Sequence, residues 1–236
     1  AGLQRGRGLR AARLELVEQL EGSRLAPQQQ DFNLRTYFGL SKRPAAAATL
    51  PAGLDVGGWW GEFSGSASGD GVSGGGGVAL EPSVAAGVSD RYVAWTDSRN
   101  GSFEIYVARQ SGGTWTALGG SASFGGVSAS FAQSRRPSVA LDAGDPVVAW
   151  TEIQASGASN IRVARWTGAV WVAMGESLDG DGISNSGAAD DAKLLMTAAG
   201  PVVVWTDRSS GAAQVHAKRF DGANWVARGG GGVDGG

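Results

Sequence analysis

From residue 82 onward the chain alternates short apolar runs with clusters of turn residues, and it does so periodically. Three stretches align almost without gaps. PSVAAGVSDRYVAWTDSRNGSFEIYVARQSGGTWTALGG starts at Pro82, PSVALDAGDPVVAWTEIQASGASNIRVARWTGAVWVAMG at Pro137, and AKLLMTAAGPVVVWTDRSSGAAQVHAKRFDGANWVARGG at Ala192. Within each copy the apolar residues alternate, or gather in β-branched stretches bounded by Gly, Asp, Asn and Ser, which is strand patterning. In the first copy the pattern predicts strands over Ser83–Ala86, Arg91–Thr96, Glu104–Arg109 and Thr114–Leu118. The second and third strands are joined by a polar hairpin containing Asn100-Gly101, the third and fourth by a tight Gly turn.

The register holds throughout. Trp95, Trp150 and Trp205 stand 55 residues apart, and Trp115, Trp171 and Trp225 follow at 56 and 54. A partial copy, WGEFSGSASGDGVS from Trp60, matches WTALGGSASFGGVS from Trp115. Four antiparallel strands repeated at a period near 50 predict the blades of a β-propeller. The expected class is therefore all-β and β-propeller-like. Three complete blades (82–136, 137–191, 192–236) follow a partial one (51–81), behind an N-terminal arm over 1–50. Three units and a fragment are fewer than a closed ring needs. Either residues 31–58 supply strands, or copies complete one another, or the chain is part of a longer one.

The pattern VVAWTE…NIRVARWTGAVWVAMG resembles the blade repeats of secreted bacterial β-propeller proteins, whose units end in ARW-x-G-x-x-W-x-x-LG. It is also similar to blades of fungal-type fucose lectins and to the Asp-box hairpin of sialidases. RFDGANW, from Arg219 to Trp225, comes nearest to the Asp box but lacks its Ser/Thr start. The resemblance covers residues 50–236 and implies blade architecture more than any activity.

Hydrophobic periodicity changes in the arm. Leu9, Ala12, Leu16 and Leu20 fall on one face of a helix predicted over Leu9–Glu21, and SKRPAAAATLPAG (residues 41–53) reads as a linker. Such a helix is too short to stand alone, so its apolar face needs a surface to cover it. Leu9, Arg10, Arg13, Leu16 and Leu20 are the expected partner-binding residues.

Composition refines this picture. Gly is high, at 40 of 236, as a turn-dense protein requires, and nine Trp in periodic runs argue for a folded chain. The net charge of −2 divides into a basic arm (eight Lys/Arg against four Asp/Glu over residues 1–45) and an acidic remainder. An acidic body gives no electrostatic reason to bind nucleic acid. With no Cys and one His, disulfides, thiolate chemistry and multi-His zinc sites are excluded. No apolar run is long enough for a transmembrane helix.

Candidate chemistry is sparse. The Thr-acid pairs Thr96-Asp97, Thr151-Glu152 and Thr206-Asp207 recur in every copy, which suits a turn-stabilising role better than an active site. Trp115, Trp171 and Trp225 are the residues placed to stack on a sugar if exposed at a blade rim. Asp179 and Asp181 form the one loop resembling a calcium site, but the matching loops lack those acids, so it reads as a turn. No cofactor is implied. From sequence, the chain is expected to be a non-catalytic subunit of an extracytoplasmic assembly, docking on other subunits or copies of itself. A carbohydrate-binding, lectin-like propeller is the alternative, and an Asp-box glycosidase a third reading.

Overall fold

The computed structural model describes residues 65–123 and 125–227. The chain divides into two units, Ala1–Glu62 and Phe63–Gly236, and everything described belongs to the second. The predicted helix Leu9–Glu21 and the linker lie outside the described residues, which contain no helix.

The described residues form three four-stranded antiparallel meanders in a propeller-like arrangement. The first runs β1 (Ala79–Ala86), β2 (Arg91–Asp97), β3 (Glu104–Ser111) and β4 (Thr114–Ala117). The second runs β5 (Gln133–Asp142), β6 (Asp145–Ile153), β7 (Ser159–Trp166) and β8 (Trp171–Ala173). The third runs β9 (Ala189–Thr197), β10 (Gly200–Asp207), β11 (Gln214–Phe220) and β12 (Trp225–Ala227). The first strands, β1, β5 and β9, lie against one another, so they form the inner edge of the arrangement.

Each first strand begins earlier than its apolar pattern predicts, because a bulge interrupts its pairing. Pairing shifts between Leu80 and Ser83, and between Arg135 and Ser138; Val204 and Thr206 mark the same shift from the β10 side. At the bulge, Glu81, Arg136 and Asp191 take positive φ of 53°, 53° and 55°. Pro82 and Pro137 follow the first two, and a residue without an N–H cannot continue a ladder, which favours the break there.

Period-2 alternation gives every sheet a leading face toward the preceding sheet and a trailing face toward the next. Tyr92, Ala94, Ile105 and Val107 on the first trailing face bury against Val139, Val148, Trp150, Ala164 and Trp166. Val147, Ala149, Ile161 and Val163 on the second bury against Ala192, Leu194, Val203 and Trp205. Hydrogen bonds staple both junctions. Val139 N–H donates to Ser83 Oγ (3.1 Å) and Leu194 N–H to Ser138 Oγ (2.9 Å).

The connections from one sheet to the next explain the recurring Gly-Val/Ile-Ser. Val127 N–H donates to Ile105 O at 2.7 Å and Ile183 N–H to Ile161 O at 2.9 Å, extending each third strand. Ser128 and Ser184 Oγ accept the Ile105 and Ile161 amides. A Cβ on Gly126 or Gly182 would lie 2.2 or 2.3 Å from the carbonyl oxygen of Ile105 or Ile161, so no other residue fits.

Candidate functional site

Residues that recur in every sheet turn out to hold the sheets together. Trp95, Trp150 and Trp205 are buried on the leading faces. Trp95 Nε1 donates to Asp97 at 3.0 Å and Trp205 Nε1 to Asp207 at 3.3 Å. The same carboxylates accept the turn amides of Arg99 and Ser209, both at 2.9 Å. Burial works against ionisation of both acids, but at Asp97 it is outweighed by the Arg99 guanidinium, the Trp95 N–H and the Arg99 amide. At Asp207 the Ser186 and Ser209 hydroxyls, the Ser209 amide and the Trp205 N–H outweigh it, so both lie below the usual carboxylate range. In the second sheet the acid is Glu152, whose longer side chain bonds Arg162 Nε and Nη2 instead, at 3.1 and 2.9 Å. Trp150 Nε1 is left buried without a hydrogen-bond partner.

At the bulges the opposite holds: the backbone recurs and the side chains do not. Leu80-Glu81, Arg135-Arg136 and Asp190-Asp191 occupy the same two positions on the three inner strands. Glu81 accepts the Arg136 amide at 2.8 Å, the Thr96 hydroxyl at 2.9 Å and Arg135 Nη2 at 3.2 Å. Partial burial opposes its ionisation, yet these donors lower its pKa, so it is a carboxylate at neutral pH. Arg136 ion-pairs with Asp190 of the next sheet and reaches Glu81 at 3.9 Å, so one guanidinium lies between two carboxylates. Thr151 Oγ1 donates to Asp190 at 3.3 Å, and Lys193 pairs with Asp191 at 2.6 Å. Arg135 also lies 4.6 Å over the Phe103 ring. The result is a partly exposed patch of two carboxylate–guanidinium pairs across adjacent inner strands. Such groups bind vicinal hydroxyls in bidentate fashion and, when carboxylates are paired, can act as acid and base. The sequence reading missed this patch, since its members differ from copy to copy. The signal was the mismatch itself, at positions 80–81, 135–136 and 190–191.

The rim Trp residues are half-buried, not free platforms. Trp171 Nε1 donates to Leu118 O at 3.0 Å and Trp225 Nε1 to Met174 O at 2.8 Å, clasping the preceding sheet. Trp166 and Phe220 pack on them at 5.6 and 5.4 Å. Trp115 packs beside the cluster of Trp95, Tyr106 and Ala108. Asp179 and Asp181 lie in successive turns, Asp181 accepting Asn160 Nδ2 at 3.3 Å while the Asp179 carbonyl accepts Arg162 at 2.9 Å. No group of three potential metal-ligating side chains occurs among the described residues. Leu9, Arg10, Arg13, Leu16 and Leu20 lie outside them.

A cleft of about 440 Å³ opens between the second and third sheets, lined by Asp142, Arg165, Met174, Pro201, Phe220 and Asp221. Among the lining residues, Arg165 and Asp142 of the second sheet approach each other to 3.8 Å.

No protein-family model matches the chain, and no curated protein is similar to it. Solved structures are similar to it. A glycosyl hydrolase from Bacteroides ovatus is 14% identical, with a TM-score of 0.43, covering 67% of this chain and 50% of its own. An endo-arabinase from Bacteroides thetaiotaomicron is 14% identical, with a TM-score of 0.42 and coverage of 62% and 59%. A family 117 glycoside hydrolase from Zobellia galactanivorans is 11% identical, with a TM-score of 0.43 and coverage of 66% and 56%. This chain thus spans between half and three-fifths of their lengths. These neighbours are glycoside hydrolases, which runs against two expectations from sequence: the non-catalytic assembly subunit, and the exclusion of an enzyme. Among the described residues no helix is long and apolar enough to cross a membrane.

Proposed function

We propose that the described residues form part of a carbohydrate-active β-propeller that engages glycan at the inner-strand patch of Glu81, Arg135, Arg136 and Asp190. One observation carries this reading. The three bulges share a backbone conformation, and there the repeats diverge into an ordered set of acid and guanidinium groups that bridges adjacent sheets. A residue needed for folding recurs in every copy, as Trp95, Trp150 and Trp205 do; a site needs asymmetry. Glu81, ionised and partly exposed, is suited to accept a hydroxyl or to act as a base, with Arg136 holding the second carboxylate beside it. The same reading places the protein outside the cytoplasm, where polysaccharides are met.

The test is a panel of soluble plant, fungal and algal polysaccharides, read by calorimetry and by release of reducing ends, on the full chain. Binding or cleavage of at least one glycan is expected, with loss of at least about tenfold in affinity or rate in Glu81→Gln and Arg136→Met. A chain that binds and cleaves nothing, or folded variants that match the parent, would overturn the proposal.

A further inference from the structure

The cleft between the second and third sheets lies away from the inner-strand patch. Arg136 and Asp142 stand near opposite ends of β5, about 20 Å apart at the rise of an extended strand. The cleft exists because the ring that fills the first junction is smaller in the second. A Cβ on Gly119 would lie 2.5 Å from the Trp166 ring, whereas one on the matching Gly175 would lie 3.4 Å from the Phe220 ring. The guanidinium at this level of each sheet is also held differently. Arg109 pairs with Asp90 at 2.7 Å, and Arg219 donates to Ala199 O at 2.7 Å. Arg165, at the same position in the second sheet, has no acceptor among the described residues closer than Asp142 at 3.8 Å, which is beyond hydrogen-bond length. The carbonyl that matches Ala199 O is Gly144 O, and Tyr92 of the first sheet donates to it. The side chains of Arg165 and Asp142 are 44% and 41% exposed, so both can meet a ligand.

We propose that this cleft binds a neutral saccharide of one or two rings, at a site separate from the patch of Glu81 and Arg136. Its volume of about 440 Å³ is that of a small-molecule pocket. Asp142 and Arg165 are close enough to compensate each other's charge, yet too far apart to saturate each other's hydrogen bonds. A carboxylate and a guanidinium so placed hold neighbouring hydroxyls, the carboxylate accepting from one and the guanidinium donating to the next. Asp221 adds an acceptor. Its Oδ1 holds the amides of Ala223 and Asn224, at 3.0 and 2.8 Å, and Oδ2 is the oxygen available to a third hydroxyl. Phe220, Met174 and Pro201 supply an apolar wall for the C–H face of the sugar ring. With Asp142 beside the one lining cation, and Asp221 held by turn amides, neither sign of charge is left bare to draw an ionic ligand.

Saturation-transfer NMR and calorimetry on the full chain test it, with glucose, galactose, mannose, xylose, arabinose and their β-linked disaccharides as probes. At least one should bind with millimolar affinity, and Arg165→Met should weaken it by at least about tenfold. Phe220→Trp, which restores the ring of the first junction, should weaken it as much by filling the cleft, at a melting temperature no lower than the parent's. Should Phe220→Trp unfold, Arg165→Met decides alone, because that side chain is exposed and its loss leaves the core intact. Binding kept in Arg165→Met but lost in Arg136→Met would assign the sugar to the inner-strand patch; it would sink this inference and leave the earlier proposal standing. Failure of every probe to bind, or folded variants that bind as the parent does, would overturn it as well.

Discussion

The two sheet junctions are built on one plan and filled differently. In the first, the Trp166 ring lies so close to Gly119 that a Cβ there would sit 2.5 Å from it, and Tyr92 Oη donates across the junction to Gly144 O at 3.2 Å. In the second, those positions carry Phe220 and Val147, and the cleft of about 440 Å³ opens beside them. The polar clamps differ too. Glu104 accepts Ser128 Oγ, Ser102 Oγ and the Ser130 amide, while Asn160 at the same position accepts Ser184 Oγ and the amides of Ser186 and Gly187. One frame therefore tolerates a charge in place of an amide, or a void in place of a ring, so long as the backbone donors stay satisfied.

The largest effect expected across this comparison is at Trp150, which is 1% exposed and packs in the core of the first junction. Trp150→Ala should cost about 3–5 kcal/mol in chemical denaturation. Trp205→Ala should cost less, since among the described residues its sheet is covered on one face only; equal costs would break the distinction between the two junctions.

Ring size should matter in opposite directions at the two sites. Trp166→Phe should cost roughly 1–2 kcal/mol by leaving a void beside Gly119. Phe220→Trp should be neutral or stabilising by up to about 1 kcal/mol, because space for the larger ring is present. If Phe220→Trp lowered the melting temperature instead, the cleft would be closed in solution.

The smallest effect sharpens the polar half of the comparison. Burial raises the Glu104 pKa, and neither its serine donors nor the Ser130 amide fully offsets this. A carboxyl raised in the folded state is an unfavourable charge above that pKa, and folding gains as pH falls through it. Glu104→Gln should thus raise the melting temperature at pH 8 by roughly 2–4 °C, with the gain shrinking toward pH 5. Asp97, Asp207 and Glu81, all lowered, contribute with the opposite sign: their stabilisation is present above the unfolded carboxylate pKa and is lost as acid titrates them. A Glu104→Gln gain that stayed constant with pH would mean that this carboxyl does not carry the charge.

Much of the fold was legible in the residues. Alternation and turn residues predicted four strands per copy, the 55-residue spacing of Trp95, Trp150 and Trp205 set the register of the three copies, and the Thr-acid pairs read as turn supports, as Asp97 and Asp207 are. These features are local or periodic, and period 2 within a strand or 55 between copies is written directly in the chain. Other features depended on tertiary structure. The bulges that turn Glu81, Arg136 and Asp191 to positive φ, and the pairing of Arg136 with Asp190 from the next sheet, join residues some 55 positions apart through the packing of inner strands. The commitment of Trp171 and Trp225 to carbonyls of the preceding sheet is of the same kind. A repeat determines its own unit. What lies between units depends on which side chains two neighbours bring to a shared face, and no single copy carries that information.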